Sequence, residues 1–167
     1  MRRILDVISE GAKGGFEVFK APDKIGPLKT KSLFLAGSID MGEAENWQEQ
    51  ITRALSDLPI AVFNPRRDDW DSSWEQDISN DQFREQVEWE LQQMERSDVM
   101  CVYFDKDGKA PITLMELGLH ARSGKVVVCC PEGYWRRGNV QVVCAQYGVK
   151  MVSDLPELII ALRERLV

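Results

Sequence analysis

The sequence has few of the side chains that bind metals or form disulfide bonds. It contains one histidine, His120, and four cysteines, and no two of the cysteines stand in a C-x-x-C arrangement. A structural zinc site needs about four thiolate or imidazole ligands, so none is expected here. All four cysteines lie in apolar surroundings, where a free thiol behaves as a small hydrophobic side chain. We therefore expect buried, unreactive thiols and neither a metal nor another cofactor.

Long apolar runs and an excess of positive charge are also missing. No stretch approaches the ~20 apolar residues of a membrane-spanning helix. Asp6 and Glu10 interrupt the N-terminal residues before an apolar signal segment can form. The 27 acidic residues outnumber the 21 basic ones, and the net charge of −6 argues against binding to the backbone of DNA or RNA. These features predict a cytoplasmic protein without a membrane or nucleic-acid partner, and they leave small nucleosides and nucleotides open as ligands.

The sequence does contain a regular alternation of strand and helix patterns. With 167 residues, 44% of them hydrophobic, the chain is long enough for one domain with a substantial core. Residues 1–30 are rich in glycine and proline and predict an irregular lead-in that packs on the domain, with a short edge strand near 16–20. Residues 31–167 form the domain itself. Its short apolar runs, which alternate with helix patterns, lie near residues 33–36, 60–63, 98–104, 125–130 and 149–152.

This alternation is typical of parallel βαβ units. We predict a three-layer α/β fold of the flavodoxin-like (Rossmann-like) type, with a parallel sheet of about five strands in the order 2-1-3-4-5. Such sheets bind ligands outside the carboxyl ends of their strands, where the strand order reverses. Three segments follow strands at that edge, namely Gly37-Ser38, the long polar loop 64–80 and residues 105–116.

Glu90 lies beside the apolar stripe of a predicted helix that begins after Ser79 or Asn80. Partial burial raises the pKa of a carboxyl group and suits it to proton transfer. The alternative is a surface glutamate that pairs with a nearby cation such as Arg84 or Arg96.

Glu116 follows the third strand of the domain, in the sequence Thr113-Leu114-Met115-Glu116. One interpretation is a capping box, in which Thr113 is the N-cap and Glu116 bonds back to its amide. The other is a carboxylate at the ligand-binding edge of the sheet. The spacing leaves both open. Two carboxylates that converge on one pocket fit the cleavage of a glycosidic bond, to a sugar or to a base.

Six segments, in their order and spacing, resemble the nucleoside 2-deoxyribosyltransferases and especially a deoxyribosyltransferase-like branch. Together they span roughly residues 31–152. They are Phe34-Leu35-Ala36-Gly37-Ser38-Ile39, Asn64-Pro65-Arg66-Arg67-Asp68-Asp69-Trp70, Gln86-Val87-Glu88-Trp89-Glu90, Ser97-Asp98-Val99, Leu114-Met115-Glu116-Leu117-Gly118 and Trp135-Arg136-Arg137-Gly138-Asn139-Val140.

The resemblance implies a role for each matching residue. Glu116 matches the nucleophile that attacks C1′ of a deoxynucleoside, releases the base and forms a covalent glycosyl-enzyme, from which a second base or water takes the sugar. Glu90 matches an acidic position near the pocket, and Gly37 and Ser38 match the turn that borders the substrate. Asn139 matches an asparagine that reaches the pocket of a neighbouring subunit. The resemblance therefore also implies a homo-oligomer.

One departure from the family concerns proton transfer. The transferases carry an acid about six residues before the nucleophile, where this chain has Ala110. Asp105 or Asp107 of the preceding turn is then the candidate for protonating the leaving base.

The loop 66–70 is a second departure, because it matches only the deoxyribosyltransferase-like branch. Arginines such as Arg66 can bind a 5′-phosphate, and tryptophans such as Trp70 and Trp74 can stack on a base. We count Arg66, Asp69 and Trp70 among the expected substrate-binding residues. The alternative is a solvated loop that its tryptophans anchor to the core.

The sequence thus predicts an enzyme that cleaves the N-glycosidic bond of a (deoxy)nucleoside or nucleotide and passes the sugar to a base or to water. Two alternatives stay open. One is a non-catalytic module that binds or senses a nucleotide, and the other is a hydrolase of another ribosyl nucleotide, such as an ADP-ribose or NAD-type ligand.

Overall fold

A computed structural model describes residues 15–39 and 46–167 and shows a parallel sheet with helices on both faces. The strands are β1 (Glu17–Lys20), β2 (Lys31–Gly37), β3 (Ile60–Asn64), β4 (Val99–Tyr103), β5 (Val126–Cys129) and β6 (Lys150–Val152). The helices are α1 (Trp47–Ala54), α2 (Asp81–Arg96), α3 (Pro111–His120), α4 (Arg137–Tyr147) and α5 (Leu155–Leu166), and a 3-10 turn (Ala121–Ser123) follows α3.

The sheet has six strands in the order β1-β3-β2-β4-β5-β6, all parallel. Without β1, the remaining five strands have the predicted order 2-1-3-4-5, so the flavodoxin-like fold is confirmed. The sixth strand is the short edge strand expected near residues 16–20, which pairs with β3. The strand order reverses between β2 and β4, and the carboxyl ends of these two neighbours form the crevice where such folds bind ligands.

Two apolar layers hold the helices to the sheet. Successive strand residues point to opposite faces, so Leu33 and Leu35 enter one layer and Phe34 and Ala36 the other. Trp89 of α2, with apolar residues of α3 and α4, covers the Phe34 face, and α1 and α5 cover the opposite face. Burial on both faces explains why the central strands are apolar throughout rather than alternating.

Helix α2 is fixed at both ends. The Asn80 side chain accepts a hydrogen bond from the Phe83 backbone N–H at 3.0 Å, which confirms Asn80 as the N-cap. At the other end, the Lys125 ammonium donates to the Met94 and Glu95 carbonyls at 2.6 and 2.8 Å. These carbonyls are among the last of the helix and have no partner within it. The position of Glu90 between the two ends is therefore well defined.

The start of helix α3 excludes the capping box, which was one of the two interpretations of Glu116. Ala110, not Thr113, is the N-cap, with a left-handed backbone (φ 47°), and Pro111 occupies the first helical position. Proline is preorganised for that position because its φ is fixed and its missing N–H would have had no partner there. Glu116 consequently lies in the second turn of α3, too far along the helix to return to an N-cap amide.

The described part of the lead-in, residues 15–30, contacts the domain through β1 and through backbone carbonyls. Trp89 Nε1 donates to the Asp23 carbonyl at 2.9 Å, and the Arg96 guanidinium donates to the Ile25 and Gly26 carbonyls. The remainder of the predicted lead-in, residues 1–14, lies outside the described residues.

The four cysteines are buried and unpaired, as expected. Burial raises the pKa of the Cys129 thiol to about 12 and those of Cys130 and Cys144 to about 11, and raises the pKa of Cys101 well above its usual value. A thiol is nucleophilic only as the thiolate, so these four groups are unreactive at neutral pH.

Within residues 15–39 and 46–167, no helix combines the length and the apolar character required to cross a bilayer.

Candidate active site

At Gly37 and Ser38, the carboxyl end of β2 lies close to that of β4 and is hydrogen-bonded to it. Gly37 pairs with Tyr103, and a β-carbon on Gly37 would lie 2.6 Å from both the Tyr103 carbonyl oxygen and the Trp47 ring. Ser38 donates its N–H to the Tyr103 carbonyl, accepts a bond from the Asp105 N–H on its hydroxyl, and accepts one from Trp47 Nε1 on its carbonyl. These contacts hold the turn that the sequence assigned to the substrate.

Glu90 and Glu116 come together from neighbouring helices on one face of the sheet. Glu116, on α3, is only 6% exposed, and no hydrogen bond or ion pair reaches its side chain from the described residues. Glu90, on α2, is half-buried. Burial, together with the smaller effect of the negative charge of Glu90, raises the pKa of Glu116 to about 8. Burial also raises the pKa of Glu90, although a hydrogen bond from Gln86 opposes the rise.

Glu116, with a pKa of about 8, is therefore mostly protonated at neutral pH. Two carboxylates in a partly desolvated site cannot both ionise easily, and the group with the higher pKa keeps the proton. In this pair that group is Glu116. Groups whose pKa values are pushed apart in this way are typical of sites for acid–base and nucleophilic chemistry.

Sequence reasoning did not assign a role to Gln86, which is one helical turn before Glu90. Gln86 Nε2 donates to Glu90 Oε1 and to the Pro65 carbonyl, each at 2.8 Å. The contact with Pro65 joins the start of the 64–80 loop to the carboxylate pair. The spacing of four residues from Glu90 on one helix was the signal in the sequence that could have revealed this contact.

Within the 64–80 loop, Arg67 is engaged by the protein itself. Its guanidinium pairs with Asp69 at 2.6 Å and with Glu85 of α2 at 3.2 Å, and lies 5.0 Å from the centre of the Trp74 ring. Asp69, one of the expected substrate-binding residues, is thus a partner of Arg67. Trp70 packs edge-on against Trp74 and is 40% exposed.

Arg66 differs from Arg67 because its guanidinium forms no ion pair with the described residues. Its backbone N–H donates to the Asn64 side chain at 3.0 Å, whereas its half-buried guanidinium has no ion pair with the described part of the chain. Of the two neighbouring arginines, Arg66 is the one whose charge is available to a ligand.

Asn139, Asp105 and Asp107 lie outside the contacts described above. Asn139, on α4, lines an apolar groove between α3 and α4 together with Leu114 and Val143. Asp105 lines a cavity of about 290 Å³ between α1 and α5, on the other face of the sheet, and Asp107 is exposed. Neither Glu90 nor Glu116 lines this groove or this cavity.

Among residues 15–39 and 46–167, no group of three or more histidine, cysteine, aspartate or glutamate side chains is arranged to hold a metal ion. What the site offers is two acidic side chains in a partly desolvated environment, one of them tied to a glutamine. A buried carboxylate without hydrogen-bond donors is a strong nucleophile once it loses its proton, and a neighbouring carboxylate favours positive charge that develops nearby.

A model of the nucleoside 2-deoxyribosyltransferase-like family matches residues 30–134, more than half of the chain. The matched range includes every expected site residue except Asn139. Among solved structures, a conserved protein from Enterococcus faecalis V583 is similar in fold, with a TM-score of 0.58 and 13% sequence identity, over 82% of this chain and 99% of that one. No curated protein matches the chain. From the family match and the fold, we conclude that the chain belongs to the nucleoside 2-deoxyribosyltransferase-like family.

Proposed function

We propose that the protein is an enzyme that cleaves the N-glycosidic bond of a (deoxy)nucleoside or nucleotide, with Glu116 as the nucleophile. The observation that carries the proposal is the state of Glu116, which is 94% buried without a hydrogen-bond partner among the described residues and lies beside a second carboxyl group. Folding gains nothing from such a group, because burying an unpaired carboxyl costs free energy. A role in chemistry accounts for it.

In the first step Glu116 releases its proton to water, and the resulting carboxylate attacks C1′ of the sugar. The bond between C1′ and the base nitrogen breaks, its electron pair leaves with the base, and the base takes up a proton. The Glu90 carboxylate stabilises the positive charge that develops on the sugar ring. In the second step another base, or water, attacks C1′ and releases Glu116.

Gly37, Ser38, Arg66, Asp69, Trp70 and Asn139 remain the proposed substrate-binding residues. The uncommitted charge of Arg66 supports a substrate with an anionic group, such as a 5′-monophosphate. Because Ala110 stands where the transferases carry an acid, Asp105 and Asp107 are the two candidates for the residue that protonates the leaving base. Of these, Asp105 lies on the other face of the sheet. A cytoplasmic location remains a prediction from the sequence.

The experiment is a panel of deoxynucleosides, ribonucleosides and their 5′-monophosphates, each incubated with the protein with and without a second free base. Chromatography follows the released base and any new nucleoside. Glu116→Gln, which keeps the size of the side chain and removes its charge, is the test variant. We expect turnover by the wild-type protein and a loss of at least about 10³-fold in Glu116→Gln, as for the removal of a covalent nucleophile.

The outcomes separate the candidate functions. Base exchange that disappears in Glu116→Gln identifies a transferase, and base release without exchange identifies a hydrolase. Full activity in Glu116→Gln contradicts the proposed mechanism. Tight binding of a nucleotide without any base release contradicts the enzyme and favours the non-catalytic binding module, whereas turnover only of an ADP-ribose or NAD-type compound added to the panel favours the third candidate.

A further inference from the structure

The side-chain amide of Gln86 donates both of its hydrogens to acceptors that are fixed in position. Gln86 is 4% exposed, and its Nε2 lies 2.8 Å from the Pro65 carbonyl oxygen and 2.8 Å from Glu90 Oε1. An amide nitrogen carries two hydrogens, so each contact uses one. Gln86 therefore acts only as a donor towards its two neighbours.

The backbone carbonyl of Pro65 fixes the orientation of this amide. A carbonyl oxygen can accept but cannot donate, so the nitrogen of Gln86 and not its oxygen must face Pro65. The same nitrogen then faces Glu90 and requires an acceptor there. A carboxylate oxygen always meets that requirement, and a donor at this distance stabilises the ionised form of Glu90.

The remaining atom of the amide is unsatisfied. Gln86 Oε1 is buried and has no hydrogen-bond donor in the described part of the protein. An unsatisfied buried acceptor is destabilising, because it loses its hydrogen bonds to water and gains none. The orientation of Gln86 thus allows its nitrogen to donate to Glu90 and Pro65 and leaves its own carbonyl oxygen without a hydrogen-bond donor.

Few other groups compete for this role. Within the described residues, Glu90 has no ion pair with a cation, and Glu116 of α3 is the titratable group that interacts with it. The 64–80 loop contributes an uncharged carbonyl, that of Pro65, and α2 contributes Gln86 itself. Gln86 is consequently the group that distinguishes the two carboxyls from each other.

We propose that Gln86 is a positioning residue, which holds the carboxylate of Glu90 in a fixed orientation beside Glu116. This inference deepens the proposed function and rests on it only for the catalytic consequence. With its charge held in place by Gln86, Glu90 is ready to stabilise a cationic sugar before the substrate arrives.

The experiment measures the two carboxyls directly by NMR, on protein labelled with ¹³C at the glutamate side-chain carboxyls, titrated between pH 4 and 9. Glu90→Gln and Glu116→Gln identify the two resonances. In Gln86→Met, which fills a similar volume without donors, the midpoint of Glu90 should rise by about one pH unit, since a hydrogen bond to a charged group contributes about 1.5 kcal/mol or more. Gln86→Asn, too short to reach both acceptors, should shift it in the same direction and provides a second variant if Gln86→Met does not fold.

Gln93→Met is the matched control. Gln93 lies on the same helix and is equally buried, but its amide contacts Gln92 and Arg96 and no carboxylate. Its replacement should leave the midpoint of Glu90 unchanged. A folded Gln86 variant whose Glu90 midpoint stays within about 0.2 units of the wild-type value, or a Gln93→Met variant that shifts it equally, overturns the proposal.

Kinetics add an independent readout once a substrate is known. In Gln86→Met, kcat should fall while KM changes little, because Glu90 loses its fixed orientation, whereas a purely structural role would lower Tm without a selective loss of kcat. If the wild-type protein turns over no substrate, the proposed function fails, and the NMR titration still decides the role of Gln86.

Discussion

Glu116 is a carboxyl group in the interior of the protein, and none of the described residues donates a hydrogen bond to it. Its pKa of about 8, against an ordinary 4.5, means that folding favours the protonated form. Below pH 4.5 the group is protonated in both the folded and the unfolded states, so its titration costs nothing. As the pH rises from 4.5 to 8 the unfolded state releases the proton and the folded state does not, and the protein loses stability.

Glu116→Gln should therefore stabilise the protein at alkaline pH. The difference in the free energy of unfolding should be small near pH 4, grow through the interval from 4.5 to 8, and level off above it. A shift of this size corresponds to at most about 5 kcal/mol, at 1.36 kcal/mol per pH unit. Urea unfolding of both proteins at pH 4, 6, 8 and 9 measures it. A difference that is constant with pH contradicts the raised pKa of Glu116.

At the scale of the elements, the turn after β2 depends on one glycine. A side chain at Gly37 would collide with the Tyr103 carbonyl and the Trp47 ring, each at 2.6 Å, and Trp47 is itself stacked on Tyr103 and bonded to Ser38. Neither neighbour is the free end of a flexible chain. The close approach of β2, β4 and α1 at the carboxyl edge of the sheet thus requires glycine.

Gly37→Ala should lower the free energy of unfolding by about 1–3 kcal/mol, the usual cost of overpacking. Gly118→Ala is the matched control, because Gly118 is exposed on α3 and a β-carbon there meets no atom within 4 Å. That variant should gain about 0.5–1 kcal/mol from helix propensity. Chemical denaturation of the two variants measures both values, and equal stability of the two would show that the turn can relax.

The strands and helices also show which parts of the fold could be predicted from the sequence alone. Apolar runs and the N-cap at Asn80 were enough to predict the strands and the start of α2, because both are local signals. The strand order followed from the topology usual for alternating strands and helices. The spacing Thr-x-x-Glu could not decide between a capping box and a carboxylate at the ligand edge, and the helix boundary at Ala110 and Pro111 excludes the capping box.

In the candidate site, too, some features could be predicted from the sequence and others could not. The resemblance placed Glu90 and Glu116 at one pocket, and the fold brings them together. The engagement of Arg67 by Glu85 and Trp74 could not be predicted, because it depends on the path of an irregular loop that contacts α2 18 residues away. No periodic pattern encodes such a path.

At the scale of the whole molecule, one face of α3 is apolar and open. Ile112, Met115 and Leu119 lie three and four residues apart along one side of the helix, and they are 58%, 53% and 58% exposed. Asn139, which the family resemblance assigns to a contact between subunits, lines the groove beside this helix. Contiguous exposed apolar side chains are typical of interfaces between proteins.

We expect a second copy of the chain to cover this face. Sedimentation velocity at about 50 μM should show a dimer or larger species in the wild-type protein and a monomer in Met115→Glu, because an unpaired charge in an apolar interface is costly. Ile160→Glu, at a similarly exposed position on α5, is the control and should leave the oligomer intact. A monomeric wild-type protein, or an unchanged oligomer in Met115→Glu, contradicts the expectation.

The most direct test of the account is to trap the covalent intermediate. The protein is mixed with a deoxynucleoside or its 5′-monophosphate that the panel identifies as a substrate, quenched in acid within one turnover and analysed by intact-protein and peptide mass spectrometry. On the peptide that contains Glu116, we predict a mass increase of one deoxyribosyl group for a nucleoside substrate, or of one deoxyribosyl 5-phosphate group for a monophosphate. We predict no adduct in Glu116→Gln. Turnover without any adduct, or an adduct on another residue, would contradict the assignment of Glu116 as the nucleophile.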